Sequence, residues 1–257
     1  MDGEQGPGGA SGASAPPEGA SSRPMIEKKR ALAQLVVHDL RNPLTAAQGY
    51  VQLAREELTE PGAPGRVREY LDDVATLLEK TLGLVATILD VEELEDGMLR
   101  ARPTVTTFRA LVDRALAGHM RQFEHRGLVL TVEGMVDEPV RLDADLIGRV
   151  VENLLDNSAR YAPRGGRVSA SVAWVGEMME VAIGNSGPPV PAHDRDAIFG
   201  RYYQSEARRA SARANRGLGL YFCKLAVAAH QGEIGVESRG ELGAVFVVRI
   251  PRAVVAP

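Results

Sequence analysis

From Met25 to Leu58 the large apolar residues return every three or four positions: Leu32, Val36, Leu40, Leu44, Ala47, Val51, Ala54 and Leu58. That spacing lays one continuous stripe along one helix. The run Pro61-Gly62-Ala63-Pro64-Gly65 interrupts it, as such punctuation must. A second stripe follows at Val67, Leu71, Val74, Leu78, Leu82, Val85 and Leu89. Two amphipathic helices joined by a short turn predict an antiparallel hairpin. A lone hairpin leaves both stripes half exposed, so two copies are expected to pair as a four-helix bundle, making the protein a homodimer.

After Asp96-Gly97 the pattern changes. Leu128 to Val132, Val168 to Trp174, Glu180 to Ile183 and Ala244 to Ile250 read as strands with Gly-rich breaks between them. Helical spacing covers about Phe108 to His125, Ala144 to Tyr161 and Gly219 to His230. Helices interleaved with hairpin-connected strands predict an α+β sandwich with a mixed sheet. The first 24 residues are Gly, Ala, Ser and Pro with almost no large apolar side chain, a composition that cannot offset its ordering entropy. The expected organisation is a disordered tail over 1–24, a helical hairpin over 25–96, a linker over 97–103 and a second domain over 104–257. No internal repeat is visible.

Composition narrows the function by exclusion. In 257 residues the net charge is −4 with signs interspersed, which gives no attraction to nucleic acid or an anionic membrane. No run approaches the roughly 18 to 20 apolar residues of a membrane span. The N-terminus lacks the basic and apolar regions of a secretory signal, so a cytoplasmic protein without a preceding sensor domain is expected. Its stimulus would then arrive through a partner or the tail. The single cysteine, Cys223, lies between Phe222 and Leu225 and reads as a small core residue.

One histidine stands out of phase with its helix. At about 100° per residue, His38 lies roughly 160° from both Val36 and Leu40. If the stripe faces inward, His38 faces water. On that feature alone a solvated His–Asp surface pair explains as much as a reactive site. Its neighbours sharpen the chemistry. Imidazole is a nucleophile near neutral pH, and Asp39 can fix its tautomer and take up its proton. Arg41 and Asn42 follow three and four positions on, over the same side, where they could attract phosphate and orient a water. Pro43 removes a backbone donor and should kink or loosen the helix.

The run His38-Asp39-Leu40-Arg41-Asn42-Pro43-Leu44 resembles the H-box of two-component histidine kinases at every position of the pattern. The resemblance implies that His38 is the phosphoacceptor and Asp39 its acid/base partner. Asp39 and Asn42 also match the acid-x-x-Thr/Asn pattern associated with phosphatase activity toward the response regulator.

The C-terminal half carries four further segments in the order of that family. Asn153 and Asn157 stand four apart on one predicted helix, so their amides share a face and can reach a hard cation; taken alone, the pair is a weak signal and reads more readily as a polar helix surface. The stretch Glu152 to Tyr161 resembles the N-box, which implies that Asn157 coordinates Mg2+, Asn153 supports it, and Arg160 and Tyr161 contact ATP. Asn185-Ser186-Gly187-Pro188-Pro189 resembles the G1 box, with Asn185 where Asp is usual and Pro189 in place of a glycine. Exchanging a charged acceptor for an amide costs about 1 kcal/mol. Ile198 to Tyr203 is similar to the F-box, and Ser205 to Ala214 would be a lid over the phosphates. Asn215-Arg216-Gly217-Leu218-Gly219-Leu220 resembles the G2 box, where Arg216, Gly217, Leu218 and Gly219 are expected to border the phosphates at a helix N-terminus. Asn215 stands where Gly is common. Gly240 and Gly243 fit a third glycine element loosely.

The implied fold is a dimeric helical bundle followed by a Bergerat-type ATP-binding domain. The implied activity is Mg-ATP-dependent phosphorylation of His38, then transfer to a receiver-domain aspartate. Two other readings stay open at this point: an ATPase of the wider nucleotide-fold group, disfavoured because Glu152 is one position off Asn153, and a non-catalytic phosphotransfer adaptor with a decayed nucleotide site. His119, His125, His193 and His230 lack the context of His38 and read as surface or packing residues. Trp174 reads as core.

Overall fold

The computed structural model describes residues 22–58, 66–99, 101–134, 136–203 and 217–252, with side chains from Leu40 onward, that of Lys80 aside. The expected hairpin turn, the lid and all but the end of the expected tail lie outside these residues. The chain divides into two compact units, Met1–Leu84 and Val85–Pro257.

The first unit is built from α1 (Ser22–Glu57) and the greater part of α2 (Val67–Glu95). Helix α1 starts at Ser22, so Ser22 to Pro24 are helical rather than tail. Pro24 is tolerated there because backbone N–H groups of the first turn have no intrahelical partner to lose. The helix also continues past Pro43. Ala47 and Ala54 are buried, the rings of Tyr50 and Tyr70 lie 6.1 Å apart, and Arg66 pairs with Glu57 at 3.7 Å. Much of the predicted stripe is open in the single chain: Leu44, Leu58, Leu71, Leu78 and Leu82 are exposed, Leu82 by 69%.

The second unit follows the predicted order, with additions. After β1 (Thr104–Thr107) come α3 (Phe108–Arg126), β2 (Val129–Glu133), β3 (Pro139–Leu142), α4 (Ala144–Tyr161), β4 (Arg167–Val175) and β5 (Met178–Asn185). Two 3-10 turns at Ala192–Asp194 and Ala197–Phe199 lead toward α5 (Gly219–Ala229), β6 (Glu233–Arg239) and β7 (Leu242–Pro251). The main sheet runs β2-β4-β5-β7-β6, parallel only between β2 and β4; β1 and β3 form a separate antiparallel pair.

Alternation along the strands sorts the sheet into two faces. Val168, Ala170, Val172, Val181, Ile183, Phe246, Val248 and Ile250 join the buried face of α3, α4 and α5 in one core. Cys223 is fully buried there, and burial pushes its thiol far up, as expected of a packing residue. His230 is buried too, accepting from the Asp143 backbone N–H at 3.0 Å and donating to the Ala226 carbonyl at 2.8 Å. Trp174 departs from expectation: it is half-buried, donates to Glu138 at 2.9 Å and lies under the Arg252 guanidinium. The indole N–H needs an acceptor, and the end of β4 supplies one only at the margin.

On the other sheet face Glu180 is buried between Arg239 and Arg249, each donating to it at 2.8 Å. Burial alone would raise its pKa, but the two guanidiniums outweigh burial and hold it below the usual carboxylate range. A depressed folded value means that the stabilisation is complete above the unfolded pKa of about 4.3 and fades as pH falls through the folded one. The urea midpoint of the wild type should therefore drop between pH 6 and about pH 3.5. In Glu180→Gln the midpoint should start lower at pH 6 and drop less; an equal drop would rule this carboxylate out.

Candidate nucleotide and phosphoacceptor site

Helix α4 is N-capped by Asp143, whose Oδ1 accepts from the N–H groups of Asp145 and Leu146, satisfying two donors of its first turn. Its apolar face, including Ile147, Val150, Val151, Leu154 and Leu155, is buried in the core. Locked this way round, the helix carries Asn153 and Asn157 along one edge of that face. Asn157 is only 7% exposed. Each amide nitrogen donates back along the helix, Asn157 to the Asn153 carbonyl at 3.1 Å and Asn153 to the Arg149 carbonyl at 2.9 Å. With nitrogen atoms so engaged, the oxygens are the ends left to face a neighbour.

For Asn153 that neighbour is α5. A Cβ placed on Gly219 would lie 2.6 Å from Asn153 Oδ1, so any side chain here would displace the Asn153 amide. Gly219 is the first residue of α5, and among the described residues no side chain caps the helix start at Leu218. Its first N–H groups are thus available to an anion. Just before it, Gly217 adopts φ +70°, and a Cβ there would sit 2.6 Å from the backbone of Tyr202 and Tyr203. Leu218 is buried beneath this turn. The predicted F-box and G2 segments therefore meet backbone to backbone, with Phe199 and Ile198 anchored in the core.

At the other end of α4, the Arg126 guanidinium donates to the Ala159 carbonyl and, at 2.7 Å, to that of Ala162, covering the carbonyl end of the helix. Arg160 pairs with Asp156 at 2.7 Å. The Tyr161 carbonyl abuts Gly187, where a Cβ would come within 2.3 Å. Gly187 in turn donates its N–H to Asn185 Oδ1 at 2.9 Å, an Asx turn that closes the loop. Asn185 is wholly buried, with its amide nitrogen 3.5 Å from the Ala244 carbonyl. Gly243 packs against the Gly187 carbonyl so closely that a Cβ would stand 1.9 Å away.

The structure thus places Asn153, Asn157, Gly217, Leu218 and Gly219 where α4 meets the start of α5, and Tyr161, Asn185 and Gly187 at the C-terminal end of α4. Arg216 lies outside the described residues. Asn42 is exposed on α1; His38 and Asp39 fall within the same helix, their side chains outside the description. Among the described residues no cluster of three or more His, Cys, Asp or Glu could hold a metal. Arg126 and Asp143 were not singled out in the sequence. A helix-end guanidinium has no spacing signature, whereas Asp143 just before a helical run is a cap signal that could have been read.

Comparison with known proteins gives this geometry a lineage. Residues 28–97 match the His Kinase A (phospho-acceptor) domain. Residues 142–254 match the histidine kinase-, DNA gyrase B- and HSP90-like ATPase family. The sensor protein SrrB of Staphylococcus aureus is 26% identical over 217 residues, covering 84% of this chain and 37% of that protein. The chain thus spans well under half the length of this curated relative. The histidine kinase AdeS of Acinetobacter baumannii superposes with a TM-score of 0.62 at 23% identity, over 84% of this chain and 98% of that one. Histidine kinase ThkA, solved in complex with the response regulator protein TrrA, gives 0.60 at 20% identity, over 90% and 64%. A phosphoacceptor hairpin followed by an ATPase domain of this type is the arrangement of sensor kinases, and the chain belongs to the two-component sensor histidine kinases.

Proposed function

We propose that this protein uses ATP to phosphorylate His38 and passes the phosphoryl group to an aspartate of a response-regulator receiver domain. The observation that carries the reading is the meeting of Asn153 with Gly219. It joins an amide-bearing helix edge to an open helix N-terminus, two features suited to a cation-bound polyphosphate. In the transfer, an imidazole nitrogen of His38 attacks the γ-phosphorus and the bond to the β-phosphate oxygen breaks. ADP leaves, and Asp39 takes the imidazole proton. The N–P bond then breaks as the regulator's carboxylate oxygen attacks phosphorus. Asp39 and Asn42 would also serve hydrolysis of the phosphorylated regulator by orienting a water.

Mg2+ suits this site because it keeps several waters and needs few protein ligands beside the phosphates; Asn157, supported by Asn153, would hold it. That ion neutralises charge on the phosphates. Arg160, Tyr161, Asn185, Gly187 and the segment from Arg216 to Gly219 would line the nucleotide. The open stripe of Leu44, Leu71, Leu78 and Leu82 supports a homodimer in which two hairpins cover each other. No helix among the described residues is long and apolar enough to cross a membrane. We infer that the ATP-binding body works in the cytoplasm, the compartment that holds ATP.

Incubation with γ-labelled ATP and Mg2+ should label the protein with an acid-labile, base-stable phosphate that His38→Ala lacks. Label surviving that substitution would refute the assignment. Gly219→Ala forces Asn153 aside rather than the backbone, so the unfolding midpoint should change little. Binding of a non-hydrolysable ATP analogue should weaken about tenfold, equivalent to ~1.4 kcal/mol. Unaltered affinity would remove this contact from the site.

A further inference from the structure

Gly97 ends α2 with φ +65°, and the N–H groups of Met98 and Leu99 both donate to the Glu93 carbonyl, at 2.9 and 3.0 Å. This cap turns Leu99 back against the core, where Ala101 packs too. The Arg102 N–H then donates to Asp143 Oδ2 at 2.8 Å. The segment is thereby fixed as a wall. Facing it across a cavity of about 800 Å³ is the C-terminal end of α5, within the same compact unit. Leu94, Leu99, Ala101, Leu225, Ala228 and Ala229 make the walls apolar. The space between them persists because the two alanines stop at Cβ.

The polar groups of the lining are few and carry one sign. Arg141 is the charged side chain there, and among the described residues no carboxylate lines the cavity. Its guanidinium is exposed on β3, and no described residue forms an ion pair with it. His230 is already engaged at both ring nitrogens, by the Asp143 N–H and the Ala226 carbonyl. The neighbouring carbonyls of α5 are taken as well. Val227 accepts from the N–H groups of His230 and Gly232, and Ala228 from that of Gln231, so these carbonyls are not left open to a cation. Gln231 stands exposed at the rim with φ +54°. Glycine is required at the next position instead, where a Cβ on Gly232 would lie 2.6 Å from the Arg249 carbonyl. The left-handed turn therefore keeps a side chain, and strained residues of this kind cluster at ligand clamps.

We propose that this cavity binds a small organic acid, a carboxylate carried on an apolar body. The apolar part would lie between the Leu99 wall and the end of α5. The carboxylate would pair with Arg141 and accept from the Gln231 amide, a charge-assisted contact that fixes its orientation. The volume is that of sites for ligands of this size. Gly219 and Ala229 stand at opposite ends of α5, about 15 Å apart along its axis, so the cavity is separate from the proposed nucleotide site. Binding here needs neither ATP nor His38, and the inference stands or fails independently of the kinase reading.

Naphthaleneacetate and naphthylmethylammonium, one ring system with opposite charges, test the site in the full chain. A trifluoromethyl label is placed on Lys224→Cys, exposed one turn before Ala228, or as a control on Glu177→Cys, exposed at the β4–β5 turn. The buried Cys223 should stay unlabelled. The acid should shift the fluorine resonance at 224 saturably and leave that at 177 unmoved, with the ammonium at least tenfold weaker. Arg141→Gln should weaken the acid about tenfold, to the level of the ammonium. By calorimetry, Ala229→Trp, which fills the space from an exposed position, should abolish binding of the acid. A non-hydrolysable ATP analogue should not displace it. Equal affinity for the two charges, unaltered affinity in either variant, displacement by the analogue, or no saturable shift below about 5 mM would each overturn the proposal.

Discussion

Helix α4 is divided between two tasks, and the split between its faces governs the ATP-binding body. One face is committed to the core through Ile147, Val150, Leu154 and Leu155. Removing any of these large side chains would leave a cavity costing about 2–5 kcal/mol, so the helix cannot roll. Because it cannot roll, Asn153 and Asn157 are fixed at its edge, and the direction of their oxygens follows from the back-donation of their nitrogens. The site is therefore preorganised by apolar packing rather than by polar contacts of its own.

What surrounds that edge is assembled from backbone. At Gly187, Gly217 and Gly243 the backbone of another segment stands where a side chain would begin. Such contacts bring N–H groups and carbonyls together without the entropy of long side chains. They also explain how the loop tolerates Asn185 in place of Asp. Its Oδ1 is engaged by the Gly187 N–H, a role a neutral amide oxygen fills as readily as a carboxylate. Pro189 follows in a loop that is already stiff.

How much of this could be read in advance depended on the length and purity of each pattern. Both hairpin helices, α3, α4 and α5 were legible because their stripes run for at least three turns, and Ala144 to Tyr161 coincided at both ends. Strands β1, β3 and β6 were missed. The first two span four residues, too short for alternation to register, and Gly235 with exposed ends dilutes β6. Of the expected site residues, Asn153 meets Gly219, and Tyr161 meets Gly187, which donates to Asn185. Contacts linking residues distant in sequence, such as Arg126 on the Ala159 carbonyl or Arg201 on Glu95, leave no periodic trace. Trp174 shows the limit of composition: a large aromatic was assigned to the core, but its N–H needed Glu138 at the rim.

Helix α2 presents the same duality as α4 in a more consequential form. Leu89 belongs to the stripe read from the sequence and is 58% exposed, whereas Val91 is wholly buried. Two residues apart on a helix, they point about 160° away from each other. The periodicity that runs through Leu78, Leu82 and Val85 could reveal only one of these faces. Val91 and Leu94 sit among Asp90, Glu92, Glu93 and Glu95 and read as a solvated surface. The acidic side chains meet cations contributed by α4 and by the segment after the second 3-10 turn, so polar residues hold this face in place beside the one buried valine.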